Sequence, residues 1–415
     1  MKKHLFFAAL AALAGFTSCN SEEELVSAND EVKSVRINLQ DAFAGMSRGQ
    51  SAAVENGTKA KINTLDVYFL DASGNAHTPW DENKASKVST HFELNTTTST
   101  DAEAGLEGTT FHFLPEAVTK VVVIANAATD QVYADFTNAE MVPGVMNKIE
   151  EAALAIANEQ TTTNLRLFGQ ATLTAKEEGE KENADVAYHQ PVYEANVLLE
   201  PRVSRLEISS FSYNADEDGN RHYDVITIKQ IYFTDYYSVA AMSDGEVSGT
   251  KTVLSITEGT VFNVLSTETA GWYNNTTFNP EIGALNEDSN WKNDTGYTVP
   301  VAYNFFSGGS DITPRLIVWL QATYAEEGND DVQNLYLETN GFSVANATEA
   351  QKGKAIVGQP VTTTDDDGNS SSSFDAMVYK VAFEFDDDDL SNPTKCVDLT
   401  VDVTPWQVVN VTPEF

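Results

Sequence analysis

The first regular pattern in the chain is an alternation of apolar and polar residues near its beginning. Val35, Ile37 and Leu39 are each separated by a polar residue. Because successive side chains of a strand point to opposite faces, this period of two predicts a strand with one buried face. A loop with glycine near both ends, 45–50, follows this first strand.

Similar patterns continue through the first half of the chain. Leu65, Val67 and Phe69 alternate in the same way, and 118–124 is an apolar run typical of a strand covered on both faces. The stretch 145–157 differs, because its apolar residues recur at helical spacing after a Pro-Gly pair. One short helix packed on a sheet is therefore predicted in this half.

The second half has the pattern of strands separated by Gly, Asn, Asp and Ser turns. The strands are predicted at 225–233, 315–324, 335–337, 378–385 and 397–403. Pro201 interrupts the apolar pattern, so we predict a domain boundary between residues 200 and 201. Many strands with little helix favour antiparallel sandwiches. We expect a mainly β protein with two antiparallel β-sandwich domains, 49–200 and 201–396.

The end of the chain repeats the alternation of its beginning. Val397, Leu399, Val401 and Val403 face one way, and Trp406 lies in the short apolar tail that follows. The segment 397–415 is therefore predicted to be a last strand with a tail.

Composition and charge exclude some classes of function. The chain of 415 residues carries 62 Asp and Glu against 25 Lys and Arg. A nucleic-acid partner is not expected, because binding phosphates requires a basic surface. The 41% of apolar residues is normal for globular proteins, so a folded chain is expected.

The first 18 residues have the features of an export signal. Two lysines precede the short apolar run 5–14, which is too short to cross a membrane as a helix. The sequence before Cys19 resembles a lipobox, after which cysteine becomes the lipidated first residue; the alternative is an ordinary secretory cleavage. The acidic tract 21–24 resembles signals that send lipoproteins to the outer cell surface, and a simple flexible tether fits it as well.

Signatures of catalysis are not found, so neither an enzyme nor a cofactor is expected. The sequence contains no HExxH, no Gly-rich phosphate loop and no Gly-x-Ser-x-Gly. The stretch 214–219 copies half of a calcium loop, but Val225 stands where a bidentate Glu is required, which favours a hairpin turn. The acidic runs 365–367 and 386–389 fit solvated loops or a weak cation site, and this choice stays open.

Three of these features occur together: a lipidated start, a strand followed by a loop containing Arg48 and Gly49, and an alternating strand at the C-terminus. Together they resemble the fimbrillins, the type V pilins of Bacteroidetes. The resemblance implies two transthyretin-like β-sandwich domains and an Arg-specific, trypsin-like protease that cuts between Arg48 and Gly49. It also implies that the lipidated propeptide 19–48 carries a removable strand, and that the last strand is donated to the next subunit.

The resemblance gives expectations about partners and location as well. The precursor would be anchored in the outer membrane through Cys19, and the cut form would join other fimbrial subunits head to tail in a cell-surface fimbrium. Adhesion to a host or bacterial receptor is a further expectation from the family. Alternatives are a tip or accessory adhesin, a surface glycan-binding lipoprotein, or a chain whose first strand is a permanent edge strand.

Overall fold

The computed structural model describes the following parts of the chain: 32–40, 59–60, 62–93, 106, 109–127, 139–159, 165–176, 190–213, 222–252, 281–283, 291–292, 302–306, 315–324, 332–339, 343–344, 361–364, 370–373, 377–385, 396–397, 399–405 and 407–408. All of them belong to one compact unit, Val32–Phe415.

The described residues are mostly in strands. Up to residue 201 the strands are β1 (Val32–Gln40), β2 (Lys59–Ala60), β3 (Thr64–Asp71), β4 (Ala76–His77), β5 (His91–Glu93), β6 (Thr110–Pro115), β7 (Val118–Ala125), β8 (Met141–Val142), β9 (Ala153–Ala155), β10 (Leu167–Thr172), β11 (Thr174–Ala175), β12 (Val192–Leu198) and β13 (Glu200–Pro201). After residue 201 they are β14 (Val203–Tyr213), β15 (Tyr223–Thr234), β16 (Tyr236–Ala241), β17 (Val247–Thr252), β18 (Glu281–Gly283), β19 (Trp291–Lys292), β20 (Ala302–Phe306), β21 (Arg315–Tyr324), β22 (Val332–Thr339), β23 (Ser343–Val344), β24 (Val361–Thr364), β25 (Ser370–Ser373), β26 (Met377–Phe385), β27 (Cys396–Val397), β28 (Leu399–Pro405) and β29 (Gln407–Val408).

The predicted helix begins where expected but is shorter. Helix α1 spans Val145–Glu151, and Gly144 before it has a φ of 66°, a conformation that glycine adopts without strain. The prediction to residue 157 is wrong, because the chain turns extended at Ala152 and forms β9 and a short 3₁₀ helix, Ile156–Asn158. β9 pairs with the distant β16, and this long-range pairing overrides the local helical spacing.

Two sheets contain most of the first half. One has the order β11-β12-β1-β6, and the other has the order β13-β10-β7-β3-β4-β8, with β5 also paired to β3. The run 118–124 lies in β7 and is largely buried, as predicted. Strand β3 is buried on both faces, although its alternation predicted only one.

Two sheets likewise contain most of the second half. Their orders are β19-β14-β26-β28-β23, with β20 also paired to β14, and β18-β15-β21-β22-β27. Most pairs are antiparallel, but β1 and β12 are parallel, and so are β14 and β26. The mainly β fold with antiparallel sheets and a short helix is confirmed.

The two halves are joined by strand pairing and by buried polar contacts. β9 extends the β16–β17 hairpin, and the Asn304 side-chain amide donates to the Glu159 carbonyl at 2.6 Å. Arg202, at the junction, donates to the Met242 and Ser243 carbonyls. The division into two domains at residues 200 and 201 stays a prediction.

Candidate functional site

Strand β1 lies in the middle of its sheet, between two strands that are distant in sequence. Residues Ser34 to Gln40 pair in parallel with Val192 to Leu198 of β12. On the other side, β1 pairs antiparallel with β6, from Val32 opposite Pro115 to Arg36 opposite Thr110. The space between β6 and β12 that β1 fills is called the β1 groove below. Because β1 is internal, its loss would leave unpaired backbone groups on both walls.

The apolar face of β1 is buried in the groove. Val35 is fully buried and Ile37 is 2% exposed, while Leu39 is partly buried against the same core. Asn38, on the opposite face, is exposed and bonds to Asn196 of β12. The strand and its buried face agree with the alternation in the sequence. Its removability stays a prediction.

Lys33 occupies the first position of the same buried face, two residues before Val35. Its side chain is buried, and the ammonium donates to the Val118 carbonyl at 2.6 Å. The ammonium also lies 4.4 Å from the centre of the Tyr193 ring, a cation–π distance. Burial lowers the pKa of Lys33, and the nearby Glu116 carboxylate partly opposes this shift. The sequence interpretation missed this lysine, although the period of two places it on the apolar face.

A polar cluster lies at the same end of the groove as Lys33, on the opposite face of β1. The Ser34 hydroxyl lies 2.8 Å from His112 Nδ1 and donates to Gln190 Oε1 at 3.0 Å. Gln190 Oε1 also accepts from the backbone N–H of Phe113, which has a φ of 58° at a bulge in β6. Gln190 therefore stabilises a left-handed conformation that non-glycine residues rarely adopt.

His112 is the titratable member of this cluster. Burial lowers the pKa of His112. The carboxylates of Glu82 and Asp81 oppose that shift, and the guanidinium of Arg36 adds to it. The neutral imidazole is thus favoured next to the Ser34 hydroxyl. Neither His112 nor Gln190 has a local sequence signal, because both reach β1 from strands or loops far along the chain.

The wall of the groove rests on a close approach between the two sheets. Gly169 of β10 packs against β12, where an added Cβ would lie 2.3 Å from the Leu198 carbonyl oxygen and 2.7 Å from Val197 Cγ1. Only glycine leaves room for β12 at this distance. The position of β12, and with it the width of the groove, depends on Gly169.

The C-terminal strand is paired within its own chain. Leu399, Val401 and Val403 lie in β28, which pairs antiparallel with β26 along its length and parallel with the two residues of β23. Val397 lies in β27, beside β22. β28 is thus next to last in its sheet, and its outer neighbour is short. Trp406 lies outside the described residues.

Several predicted positions lie outside the described residues. These are Cys19, Arg48, Gly49, and the acidic stretches 214–219, 365–367 and 386–389. Among the residues that are described, no group of three or more His, Cys, Asp or Glu could hold a metal ion. The same residues include no helix long and apolar enough to span a bilayer.

No protein-family model matches the sequence, and a search of curated proteins found no match. Solved structures do align with most of the chain. A candidate cell adhesion protein from Bacteroides eggerthii aligns with a TM-score of 0.47 and 11% identity over 92% of this chain and 98% of that chain. A fimbrilin from Porphyromonas gingivalis aligns with a TM-score of 0.45 and 14% identity over 92% of this chain and 99% of that chain. The fimbrial anchor protein Mfa2 from Porphyromonas gingivalis aligns with a TM-score of 0.31 and 9% identity over 91% of this chain and 99% of that chain. Fimbrial proteins are thus among the solved structures to which the chain is similar.

Proposed function

We propose that this chain is the structural subunit of a cell-surface fimbria, polymerised by donor-strand exchange. The precursor is a lipoprotein held in the outer membrane through Cys19, and an Arg-specific protease cuts it between Arg48 and Gly49. The cut separates β1 from the rest of the chain. The C-terminal strand of a second copy then fills the β1 groove, and repetition of this head-to-tail contact gives a filament that supports adhesion.

The observation that carries the proposal is the internal position of β1, upstream of the expected cut. As long as β1 is tethered, its effective concentration at the groove is on the order of millimolar, which another chain cannot match. After the cut it can dissociate. The vacated groove would expose the apolar floor beneath Val35 and Ile37, together with unpaired backbone groups of β6 and β12.

The energetics favour a durable joint. Each Val, Leu or Ile side chain that a donated strand buries contributes about 1.5 to 3 kcal/mol, so four of them give roughly 6 to 12 kcal/mol as an upper estimate. The donor must first leave its own sheet, where β28 pairs with β26 and β23. In the groove it regains β12 as a partner along most of its length and β6 over its first residues. Because the contact joins two different surfaces and does not close, it yields a filament.

Cleavage at Arg48 is the step that tests the proposal. The purified precursor is treated with an Arg-specific protease and examined by electron microscopy, with N-terminal sequencing of the product. We expect fibres whose subunits begin at Gly49. Arg48→Ala should give no fibres, because β1 stays tethered in the groove.

Arg48→Lys is the matched control. It should resist the Arg-specific protease but give fibres with trypsin, which cuts after either residue. Fibres of normal length from uncut Arg48→Ala protein would contradict the proposal. Of the alternative classes, a glycan-binding lipoprotein requires neither the cut nor a polymer, and a tip adhesin would lack the C-terminal donor strand.

A further inference from the structure

A buried lysine is an unusual component of an apolar groove. Removing an ammonium from water is costly, so the groove must compensate Lys33 specifically. It does so with the Val118 carbonyl at 2.6 Å and the face of the Tyr193 ring at 4.4 Å. Tyr193 lies in β12 and Val118 begins β7, so both remain when β1 leaves. The cut subunit thus keeps a preformed site for one ammonium group at one end of its groove.

The chain contains a second segment that fits this site. In β1, Lys33 is followed by Val35, Ile37 and Leu39 at every second position. Among all the lysines of the sequence, Lys395 alone shares this feature, a Val, Leu or Ile at each of the second, fourth and sixth following positions. There the three residues are Val397, Leu399 and Val401.

Two of the three intervening residues also correspond in size, whereas Arg36 is matched by the smaller and oppositely charged Asp398. Ser34, which contacts His112 and Gln190, is matched by the similarly small Cys396. The exposed Asn38 is matched by Thr400. The segments 33–39 and 395–401 therefore agree in their lysine, their apolar face and the small residue between them.

Resting on the function proposed above, we infer that segment 395–401 of a second copy fills the β1 groove in one defined register. In that register Lys395 takes the place of Lys33, and Val397, Leu399 and Val401 take the places of Val35, Ile37 and Leu39. The ammonium site formed by Val118 and Tyr193 selects the register, as a single polar group does at an otherwise apolar interface.

Other registers that keep the apolar face inward are shifted by two residues. Placing Val397 at the position of Lys33 buries the Val118 carbonyl without its ammonium donor, which is unfavourable. Placing Leu399 there leaves the same carbonyl without its ammonium donor. The lysine register is the one that supplies this donor.

Cross-linking distinguishes the registers. Asn38 contacts Asn196 of β12 through a side-chain hydrogen bond of 3.0 Å, so residue 196 lies beside position 38 of the strand in the groove. Asn196→Cys is combined with Thr400→Cys, Asp402→Cys or Thr404→Cys in a full-length chain carrying Cys396→Ser, which copies Ser34. Cleavage at Arg48 also removes Cys19. After fibre formation and mild oxidation, a non-reducing gel should display a covalent ladder for the Thr400→Cys pair.

A second measurement tests the lysine itself. Lys395→Met keeps the aliphatic stem without the charge, and fibres of this variant should dissociate in denaturant at least about tenfold faster than wild-type fibres. Tyr193→Leu should have a similar effect. If the two groups are in contact across the joint, the double variant should lose clearly less than the product of the single losses. Lys33→Met is the control, because Lys33 is absent from the cut fibre.

The possible failures are distinguishable. If wild-type protein forms no fibres after cleavage, the proposed function is wrong. If fibres form but the ladder appears with Asp402→Cys or Thr404→Cys, the register is wrong while donor-strand exchange stands. Fibres with independent effects of Lys395→Met and Tyr193→Leu would also overturn the inferred role of the lysine.

Discussion

The opening strands of the two halves occupy the same place in their sheets. β1 lies between the parallel β12 and the antiparallel β6, and β14 lies between the parallel β26 and the antiparallel β20. Both carry buried apolar residues. By position in the sheet alone, the two strands would be equally necessary and equally permanent.

The difference is in how the chain enters and leaves each strand. β14 follows β13 after one residue, Arg202, whose guanidinium bonds to the Met242 and Ser243 carbonyls and lies 4.8 Å from the Phe168 ring. β1 is followed by the segment that contains Arg48, so the proposed cut there separates β1 from the remaining chain. A single cut on one side of β14 leaves that strand joined to the chain on its other side. The proposed removability of β1 therefore depends on connectivity and not on topology.

The largest effect is expected from truncating one buried isoleucine in each of the two strands, β1 and β14. Ile37 of β1 is 2% exposed and Ile208 of β14 is fully buried. Ile37→Ala and Ile208→Ala should each lower the free energy of unfolding of the uncut chain by about 2 to 5 kcal/mol, because each leaves a cavity. Guanidinium denaturation of the precursor measures both losses.

The same pair separates the two strands after cleavage. In the cut fibre, Ile37→Ala should be indistinguishable from the wild type, because β1 has left, whereas the loss for Ile208→Ala should persist. Asn38→Ala, at an exposed position of β1, should change stability by less than about 0.5 kcal/mol in either form. A persistent loss for Ile37→Ala in the fibre would mean that β1 remains bound.

A smaller effect is expected at Gly169, which supports the wall of the β1 groove whether β1 or a donated strand fills it. Gly169→Ala places a Cβ too close to the Leu198 carbonyl, so β12 must move. We expect a loss of about 1 to 3 kcal/mol, present in both precursor and fibre because β12 lines the groove in both. Thermal unfolding of each form measures it. The exposed neighbour in the same strand, Gln170→Ala, is the control, and an equal effect from it would contradict the close-approach explanation.

The stability loss caused by Gln190→Ala should differ between the precursor and the fibre by less than the loss caused by Ile37→Ala. Gln190→Ala removes the acceptor for the Phe113 N–H and for the Ser34 hydroxyl, at a cost of about 1 to 2 kcal/mol in the precursor. In the fibre only the Phe113 bond remains, so the loss should be smaller there. Gln190→Glu keeps the acceptor oxygen and is the control. Amide exchange at Phe113 reports the loss directly, and unchanged exchange in Gln190→Ala would refute the role of this side chain.

The sequence predicted what depends on local period and missed what depends on distant pairing. The alternation at Val35 and Ile37 was enough for β1 and its buried face, since a period of two is a local property. The predicted helix runs past Glu151 because the helical spacing continues locally. The chain forms β9 there instead, since β9 pairs with β16, more than 80 residues away. The parallel partner of β1 was likewise not predictable, since β12 lies more than 150 residues downstream.

The charge within the site was the least predictable feature. Lysine is rarely buried, so its residue type argues against the burial of Lys33 even though the period of two places it on the apolar face. Its partners, Val118 and Tyr193, come from two other strands, and only the folded chain places them together. Gln190 and His112 were missed for the same reason.

The smallest effect expected is a pH dependence confined to β1. Burial lowers the pKa of Lys33 from its ordinary value of 10.5, although Glu116 opposes the shift. Below its lowered pKa the lysine is charged whether β1 is bound or free, so the cost of burying the charge is present in full. As the pH rises through the lowered pKa toward 10.5, the bound lysine releases its proton first and the cost disappears. The stability of wild-type precursor relative to Lys33→Met should therefore increase between pH 7 and pH 10, measured by guanidinium denaturation. Titrating groups remote from residue 33 are common to both proteins and cancel in the difference. The same comparison in the cut fibre should be flat with pH, because Lys33 has left with β1, and a slope there would mean that the first strand is as permanent as β14.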